Sequence, residues 1–91
     1  MKVLHDEQGG RFYLPLPEGG EAVLSYRREG KTLDFYSTYV PPDARSKGVA
    51  EQVVEAGFLY AQANGYKVIP SCSYVSTTFL RKRKEFLPLV R

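Results

Sequence analysis

The chain has 91 residues and a formal net charge of +3; 43% of the residues are hydrophobic and 25% are charged. Its seven tyrosines and five phenylalanines supply enough apolar surface to exclude an intrinsically disordered chain. Its one cysteine excludes an internal disulfide framework and a cysteine-based zinc site. The small positive charge suits an anionic ligand as well as a nucleic acid, so it does not separate these two classes of partner.

The length is that of one domain, so residues 1–91 are predicted to form a single domain. The N-terminal residues contain no apolar run long enough for a signal peptide. No window approaches the ~18–20 apolar residues that span a bilayer. Together with the single cysteine, these features predict a cytoplasmic protein without a membrane partner.

The first forty residues have the pattern of an antiparallel meander. Strands are predicted over residues 2–6, 11–16, 21–27 and 32–40, with glycine-containing turns between them. Strict alternation in the fourth strand predicts that one face carries Leu33, Phe35, Ser37 and Tyr39. Pro41 and Pro42 end this strand, because proline cannot donate a backbone hydrogen bond.

From Ser46 the apolar residues follow a helical period. The predicted buried face consists of Ala50, Val53, Val54, Gly57, Phe58 and Ala61. Asn64 and Gly65 predict the helix end, and Gly57 predicts close packing of the helix on the sheet. A short buried strand over residues 66–70 then closes a parallel crossover. A weaker second helix is predicted over residues 73–86, because hydroxyl residues at 76–78 lower its propensity.

Residues 45–50 read Arg-Ser-Lys-Gly-Val-Ala and stand between the proline-ended strand and the first helix. Unpaired N–H groups and the positive end of the helix dipole favour anions at a helix start. Arg45 and Lys47 add positive charge, and Gly48 removes a Cβ where a ligand approaches the backbone. The loop is therefore a candidate phosphate site. The alternative is a charged turn in which Ser46 or Asp43 caps an ordinary helix.

The spacing of Arg45, Gly48 and Ala50 fits the Arg/Gln-x-x-Gly-x-Gly/Ala loop of the GCN5-related N-acetyltransferases. The match extends over residues 39–51 and 65–75, where Pro-Ser-Cys-Ser-Tyr occupies positions 70–74. The chain resembles the minimal branch of that superfamily, which lacks the usual first helices. The resemblance implies a truncated α+β acyl-CoA N-acetyltransferase fold: an antiparallel meander, a strand–helix–strand unit, a splayed mixed sheet and a short C-terminal helix.

The same resemblance implies that the ligand is acetyl-CoA or CoA. The pyrophosphate is expected on the backbone amides of residues 46–50, and the pantetheine arm between the strand that ends at Val40 and the strand that ends near Pro70. Tyr39 and Val40 are expected to bind the arm through their main-chain groups, as an added strand does. The expected cofactor-binding residues are Tyr39, Val40, Arg45, Ser46, Lys47, Gly48, Val49 and Ala50.

Two segments depart from the pattern of the small branch. Where that branch has His-Thr-Glu-Val before its prolines, this chain has Ser37, Thr38, Tyr39 and Val40, so a candidate base is missing. Where the branch continues with an aromatic residue and an Asn/His-Pro stretch, this chain has the basic run 81–84. The first departure concerns catalysis, and the second concerns the end of the acyl or acceptor groove.

Two side chains are candidates for the chemistry. Cys72 is expected to face the thioester, either as a carrier of the acetyl group or as a lining residue. The alternative interpretation is that Cys72 is only a small, buried packing residue. Tyr74 is a candidate acid for the leaving thiolate, with Tyr39 as the alternative. In the usual superfamily mechanism the amine attacks the thioester directly.

No metal site is predicted, because His5 is the only histidine. The basic run 81–84 is expected to be a solvated surface, with nucleic acid or an adenosine 3′-phosphate as the alternative partner. The sequence thus predicts an acetyl-CoA-dependent N-acetyltransferase, monomeric or weakly dimeric, whose amine acceptor is a small molecule or a protein lysine. The alternative is a CoA-binding or nucleic-acid-binding module without turnover.

Overall fold

The computed structural model describes residues 2–91 and shows an α+β architecture. The strands are β1 (Leu4–Asp6), β2 (Arg11–Pro15), β3 (Glu21–Glu29), β4 (Thr32–Tyr39) and β5 (Lys67–Ile69). Helix α1 spans Val49–Asn64. A helical segment follows β5, with π-helical turns over Tyr74–Phe79 and an α-helical turn over Leu80–Lys82; it is called the C-terminal helix below. Short 3-10 turns cover Pro42–Ala44 and Lys84–Leu89.

The five strands form one sheet in chain order, β1-β2-β3-β4-β5. The first three pairs are antiparallel, and β4 pairs with β5 in parallel, so the predicted mixed sheet is confirmed. The parallel pairing joins Thr32, Leu33 and Asp34 of β4 to β5 and goes no further. Because β4 continues to Tyr39, its second half extends past the end of β5, which stops at Ile69. This is the predicted splay of the sheet.

The pairing of β3 with β4 contains a β-bulge. Ser25 lies opposite Ser37, but the next residue of β3, Tyr26, lies opposite Phe35. Tyr36 is therefore the extra residue of β4. A bulge of this kind reverses the inside–outside alternation of the strand that contains it.

The bulge makes one sequence prediction wrong. Ser37 and Tyr39 do not share the buried face of β4, since both are exposed. Thr38 lies on that face instead, opposite the fully buried Leu24. Val40 also packs against the core. The strict period failed because the extra residue lies between the two halves of the strand.

Helix α1 begins later than the sequence predicted. Its N-cap is Gly48 at φ +77°, without a side-chain capping bond, so neither Ser46 nor Asp43 caps it. Its buried residues are Val49, Val53, Val54, Gly57, Phe58 and Ala61. The buried stripe thus starts at Val49, whereas Ala50 is only half-buried. The C-terminal end agrees with prediction, because Gly65 takes the left-handed conformation at φ +72° and its N–H donates to the Ala61 carbonyl.

Gly57 lies where α1 crosses the sheet. A Cβ at this position would stand 2.7 Å from Leu24 Cδ2 and 2.9 Å from Phe35 Cζ. Both side chains are fully buried, so neither has free space to move into. The predicted reason for a glycine inside this helix, close contact with the sheet, is confirmed.

The C-terminal helix ends at Lys82, whereas residues 73–86 were predicted to be helical. Thr77 Oγ1 donates to the Ser73 carbonyl at 2.6 Å, so a hydroxyl group bonds to a helix carbonyl within the widened turns. At Arg83 the backbone leaves helical geometry, with φ −114° and ψ 64°. The break allows Phe86 to stack on Phe58 at a centroid distance of 5.1 Å. Core packing by Phe86 therefore decides where this helix stops.

Helix α1 and the C-terminal helix cover the same face of the sheet, and the core lies between them and the strands. The largest fully buried side chains are Phe35, Phe58, Phe79, Leu14, Leu24, Leu33, Val53, Val54, Val68 and Val75. Within residues 2–91 no helix has both the length and the apolar character needed to cross a membrane.

Candidate active-site cleft

The loop before α1 presents a row of weakly engaged backbone donors. The N–H groups of Ala44 and Arg45 bond to the carbonyls of Pro41 and Pro42 at 2.9 and 3.3 Å. Beyond them the chain makes a turn over residues 45–48, and no N–H group of residues 46–51 makes a short, well-aligned bond to a backbone carbonyl within the described part of the chain. The first N–H groups of a helix lack intrahelical acceptors, and here the loop adds further ones. Such a row of N–H groups is an anion-binding arrangement.

Two residues give the loop its shape. Gly48 has φ +77°, and Ser46 has φ +71°, the only positive φ of a non-glycine residue within residues 2–91. A left-handed serine is unusual and is often found at functional sites. A Cβ on Gly48 would meet no atom of the chain within 4 Å. Backbone conformation therefore favours glycine at this position, which lines the cleft described next.

A cleft of about 300 Å³ lies between this loop and the C-terminal helix. Its loop side is formed by Val40, Ala44, Arg45, Ser46, Gly48, Val49, Ala50 and Glu51. Its opposite wall is formed by Tyr74, Thr78 and Lys82. Most of the expected cofactor-binding residues thus surround one space. Lys47 belongs to the same loop, but it is exposed and does not line the cleft.

A second space of about 250 Å³ is lined by Thr38, Tyr39 and Val40 and shares Val40, Arg45, Ala50 and Tyr74 with the first. Together the two spaces run from the loop to the part of β4 that β5 does not cover. Arg45 Nε donates to the Val40 carbonyl at 3.0 Å and so ties the loop to the end of β4. The arrangement suits an elongated ligand with an anionic end at the loop.

Cys72 lies beside the splayed part of β4. Its N–H donates to the Phe35 carbonyl at 2.8 Å. Its Sγ is 3.3 Å from Thr38 Oγ1, and either atom can be the donor. The bulge is the reason for this contact, because it turns Thr38 towards the helix side of the sheet. Cys72 is half-buried and packs against the core, which agrees with a lining position.

Tyr74 borders both parts of the cleft. Burial, and then the neighbouring Glu51 and Cys72, raise the pKa of the Tyr74 phenol above its ordinary value. The phenol, like an ordinary one, is protonated at neutral pH. Tyr39, the alternative acid, is 52% exposed. Burial and position favour Tyr74 over Tyr39 as the proton donor.

The four residues of the basic run 81–84 do not lie on one surface. Lys82 lines the cleft, whereas Arg81 and Lys84 line a shallow surface on another side of the C-terminal helix. Arg83 binds Glu51, Glu55 and Glu85 at 3.2, 2.7 and 2.8 Å. The run is therefore not one uniform solvated patch.

His5 belongs to a packing cluster on β1. Its ring stacks on Phe12 at 4.0 Å, and its Nε2 lies 2.6 Å from the Tyr26 hydroxyl. Burial, the largest influence, lowers the pKa of His5, while Glu7 and Asp6 act in the opposite direction. The arrangement explains this histidine as a structural residue.

Sequence reasoning missed four residues that contribute to the cleft or its edge: Thr38, Ala44, Glu51 and Thr78. Lys82 entered only as part of the basic run 81–84, with an adenosine 3′-phosphate as an alternative partner. Spacing contained a signal for Thr78, because Tyr74, Thr78 and Lys82 are four residues apart and share one helix face. Thr38 had no such signal, since its position depends on the bulge in β4.

The comparisons with known proteins agree with this arrangement. Residues 11–89 match the family model described as GCN5-related N-acetyl-transferase. A GCN5-like protein from Staphylococcus aureus, solved by NMR in solution, has a similar structure, with a TM-score of 0.74 and 22% sequence identity. The match covers 99% of this chain and 87% of that protein. The family model, the shared fold and the loop before α1 lead to one conclusion: the chain belongs to the GCN5-related N-acetyltransferase family.

Proposed function

We propose that this protein binds acetyl-CoA in the cleft and transfers the acetyl group to a primary amine of a small molecule or a protein lysine. One observation carries the proposal: the loop whose N–H groups make no well-aligned backbone bond lines a cleft that leads to the uncovered half of β4. The chemistry of these donors fits the ligand, because a pyrophosphate needs several N–H groups and a nearby cation such as Arg45.

The parts of the ligand follow the two spaces in order. The pyrophosphate lies on the amides of the loop, and the pantetheine arm lies along Thr38, Tyr39 and Val40. Main-chain groups of Tyr39 and Val40 bind the arm as an additional strand, since β5 does not extend alongside them. The Val40 carbonyl is bonded to Arg45 Nε, so this bond exchanges or is shared when the arm binds.

In direct transfer, the amine nitrogen attacks the thioester carbonyl carbon and forms the new C–N bond. The C–S bond breaks, and CoA leaves as a thiolate. Tyr74, which borders both parts of the cleft, supplies a proton to this sulfur, and solvent then reprotonates its phenolate. The proton released by the amine passes to solvent. No carboxylate occupies positions 37–40, so the chain itself offers no base there.

Cys72 offers a second route, in which its thiolate takes the acetyl group from CoA before the amine does. Its position beside Thr38 supports contact with the acyl end of the ligand. The intact mass of the protein after incubation with acetyl-CoA distinguishes the two routes. An added acetyl group that disappears in Cys72→Ala supports the covalent route, and turnover without an adduct supports direct transfer.

The proposal is tested in two stages. First, CoA is titrated into labelled protein and amide shifts are followed; shifts are expected at residues 46–51, and unchanged amides there would refute CoA binding. Second, a panel of amines is screened with acetyl-CoA, and the released CoA thiol is detected. Binding without turnover of any amine would favour the non-catalytic CoA-binding module, a candidate that the replacement of the acidic residue by Tyr39 supports.

A further inference from the structure

We propose that Lys82 binds the pyrophosphate of CoA from the wall opposite the loop amides, and that Arg83 keeps this wall receptive to anions by neutralising Glu51. The inference rests on the proposed function, and it adds a second cationic side to the phosphate site. It assigns distinct roles to two neighbouring residues of a basic run.

The first support is placement. Tyr74, Thr78 and Lys82 form the wall of the cleft that faces the loop. Tyr74 also borders the space beside Thr38 and Tyr39, whereas Lys82 does not. Lys82 is therefore at the loop end of the cleft, and Tyr74 is at the end near β4.

The second support is the state of the Lys82 ammonium group. Lys82 is exposed and takes part in none of the ion pairs or side-chain hydrogen bonds of residues 2–91. Its three donors are available to a ligand. A phosphate bound to the loop amides would have donors on one side and this ammonium on the other. Lysine is a common phosphate-binding residue in such arrangements.

The third support is the charge of Glu51. This carboxylate lies in the first turn of α1 and lines the cleft, where it would repel a phosphate. Arg83 Nη1 holds Glu51 Oε2 at 3.2 Å. The guanidinium is itself held by Glu55 at 2.7 Å and stacks over Phe79 at 5.6 Å, so its position is fixed. Arg83 is thus a positioning residue that acts through Glu51.

The experiment compares Lys82→Met with Lys84→Met by calorimetric titration of CoA, dephospho-CoA and pantetheine. Lys84 belongs to the same basic run but lines a different surface, so its variant has the same change in charge outside the cleft. Lys82→Met is expected to weaken the binding of CoA and of dephospho-CoA by the same factor, about tenfold for the loss of one charged hydrogen bond. Its affinity for pantetheine is expected to remain unchanged. Lys84→Met is expected to bind all three ligands as the wild-type protein does.

Arg83 is tested through its partner. Arg83→Gln is expected to weaken CoA binding, and adding Glu51→Gln in the same chain is expected to restore it. Restoration distinguishes charge neutralisation from loss of packing, since a purely structural defect would persist in the double variant. Failure of Glu51→Gln to restore binding would overturn the role given to Arg83.

The outcomes for Lys82 separate three cases. Wild-type affinity in Lys82→Met overturns the proposal while leaving CoA binding intact. A loss for CoA but not for dephospho-CoA places Lys82 at the 3′-phosphate and overturns the pyrophosphate assignment. A wild-type protein that binds neither nucleotide refutes the proposed function itself, and with it this inference.

Discussion

Tyr74 shows how its surroundings make one side chain a candidate for a chemical role. The chain has seven tyrosines, and their sequence contexts do not separate a proton donor from a packing residue. In the structure Tyr74 borders both parts of the cleft, and burial raises the pKa of its phenol. Its location at the cleft therefore distinguishes it, whereas the direction of its pKa does not, since the pKa values of Tyr26 and Tyr60 are raised as well.

Replacing Tyr74 by phenylalanine removes the hydroxyl and keeps the ring. If Tyr74 protonates the leaving thiolate, kcat should fall by about a hundredfold, while CoA affinity changes little. Release of CoA thiol with an active amine measures the rate, and calorimetry measures the affinity. Tyr13→Phe is the matched control, since Tyr13 lies on β2 and does not line the cleft. Full turnover by Tyr74→Phe would exclude the phenol as the acid.

His5 makes folding stability depend on pH. The pKa of His5 in the folded protein is lowered from 6.5, chiefly by burial, so the unfolded chain binds the proton more readily. Stability is then complete above the unfolded pKa of 6.5 and falls as the pH decreases through the folded value. Urea unfolding between pH 7.5 and pH 5 should show this decline, and His5→Gln should reduce it. An identical pH profile in His5→Gln would show that other groups are responsible.

At the scale of elements, the contact between α1 and the sheet depends on Gly57. The glycine lowers helix propensity by about 1 kcal/mol relative to alanine, which would favour its replacement. The packing works in the opposite direction, because a methyl group there would lie under 3 Å from buried atoms of Leu24 and Phe35. Tertiary packing therefore overrides local propensity at this position.

Gly57→Ala is accordingly expected to destabilise the protein. Overpacking of a core contact usually lowers stability by about 1–3 kcal/mol, which exceeds the gain in helix propensity. Chemical denaturation gives the free energy of unfolding. Ala63→Gly, on the exposed side of the same helix, is the control and should lose about 1 kcal/mol through propensity alone. A more stable Gly57→Ala protein would contradict the close contact.

The β-bulge is the second decisive feature at this scale. It turns Thr38 towards Cys72 and moves Ser37 and Tyr39 to the exposed face. The C-terminal helix has a comparable effect, since its four-residue spacing directs Lys82 into the cleft. Both elements bring side chains from distant parts of the chain to one cleft.

At the scale of the whole molecule, the cleft joins the loop before α1, the end of β4 and the C-terminal helix. A ligand that fills it contacts elements from the middle and the end of the chain. Such a ligand binds only the folded form, so it should stabilise the entire fold by mass action.

Thermal unfolding should therefore respond to CoA. At a CoA concentration one hundred times Kd, the free energy of unfolding increases by about 2.7 kcal/mol. This increase raises Tm by roughly 10–20 °C in a domain of this size. Pantetheine at the same concentration should produce a smaller shift, because it lacks the pyrophosphate. Equal shifts for the two ligands would contradict binding at the loop amides.

Much of this protein followed from the sequence alone. Side-chain periodicity and backbone preference set the local features. These are the strand and helix patterns, the prolines that end β4, the glycine after α1 and the loop at residues 45–50. They predicted the meander, the crossover helix and the family. The close contact at Gly57 also followed, because a glycine inside a regular helix requires a packing reason.

The tertiary structure alone decided the remaining features. The bulge at Tyr36 depends on how β3 and β4 pair, which no alternation within one strand reveals. The helix break at Arg83 depends on the core position of Phe86, and the different surroundings of Lys82, Arg83 and Lys84 depend on the packing of distant segments. The expected anion site at residues 45–50 thus followed from the sequence. The wall that faces this loop exists only because distant segments pack against one another.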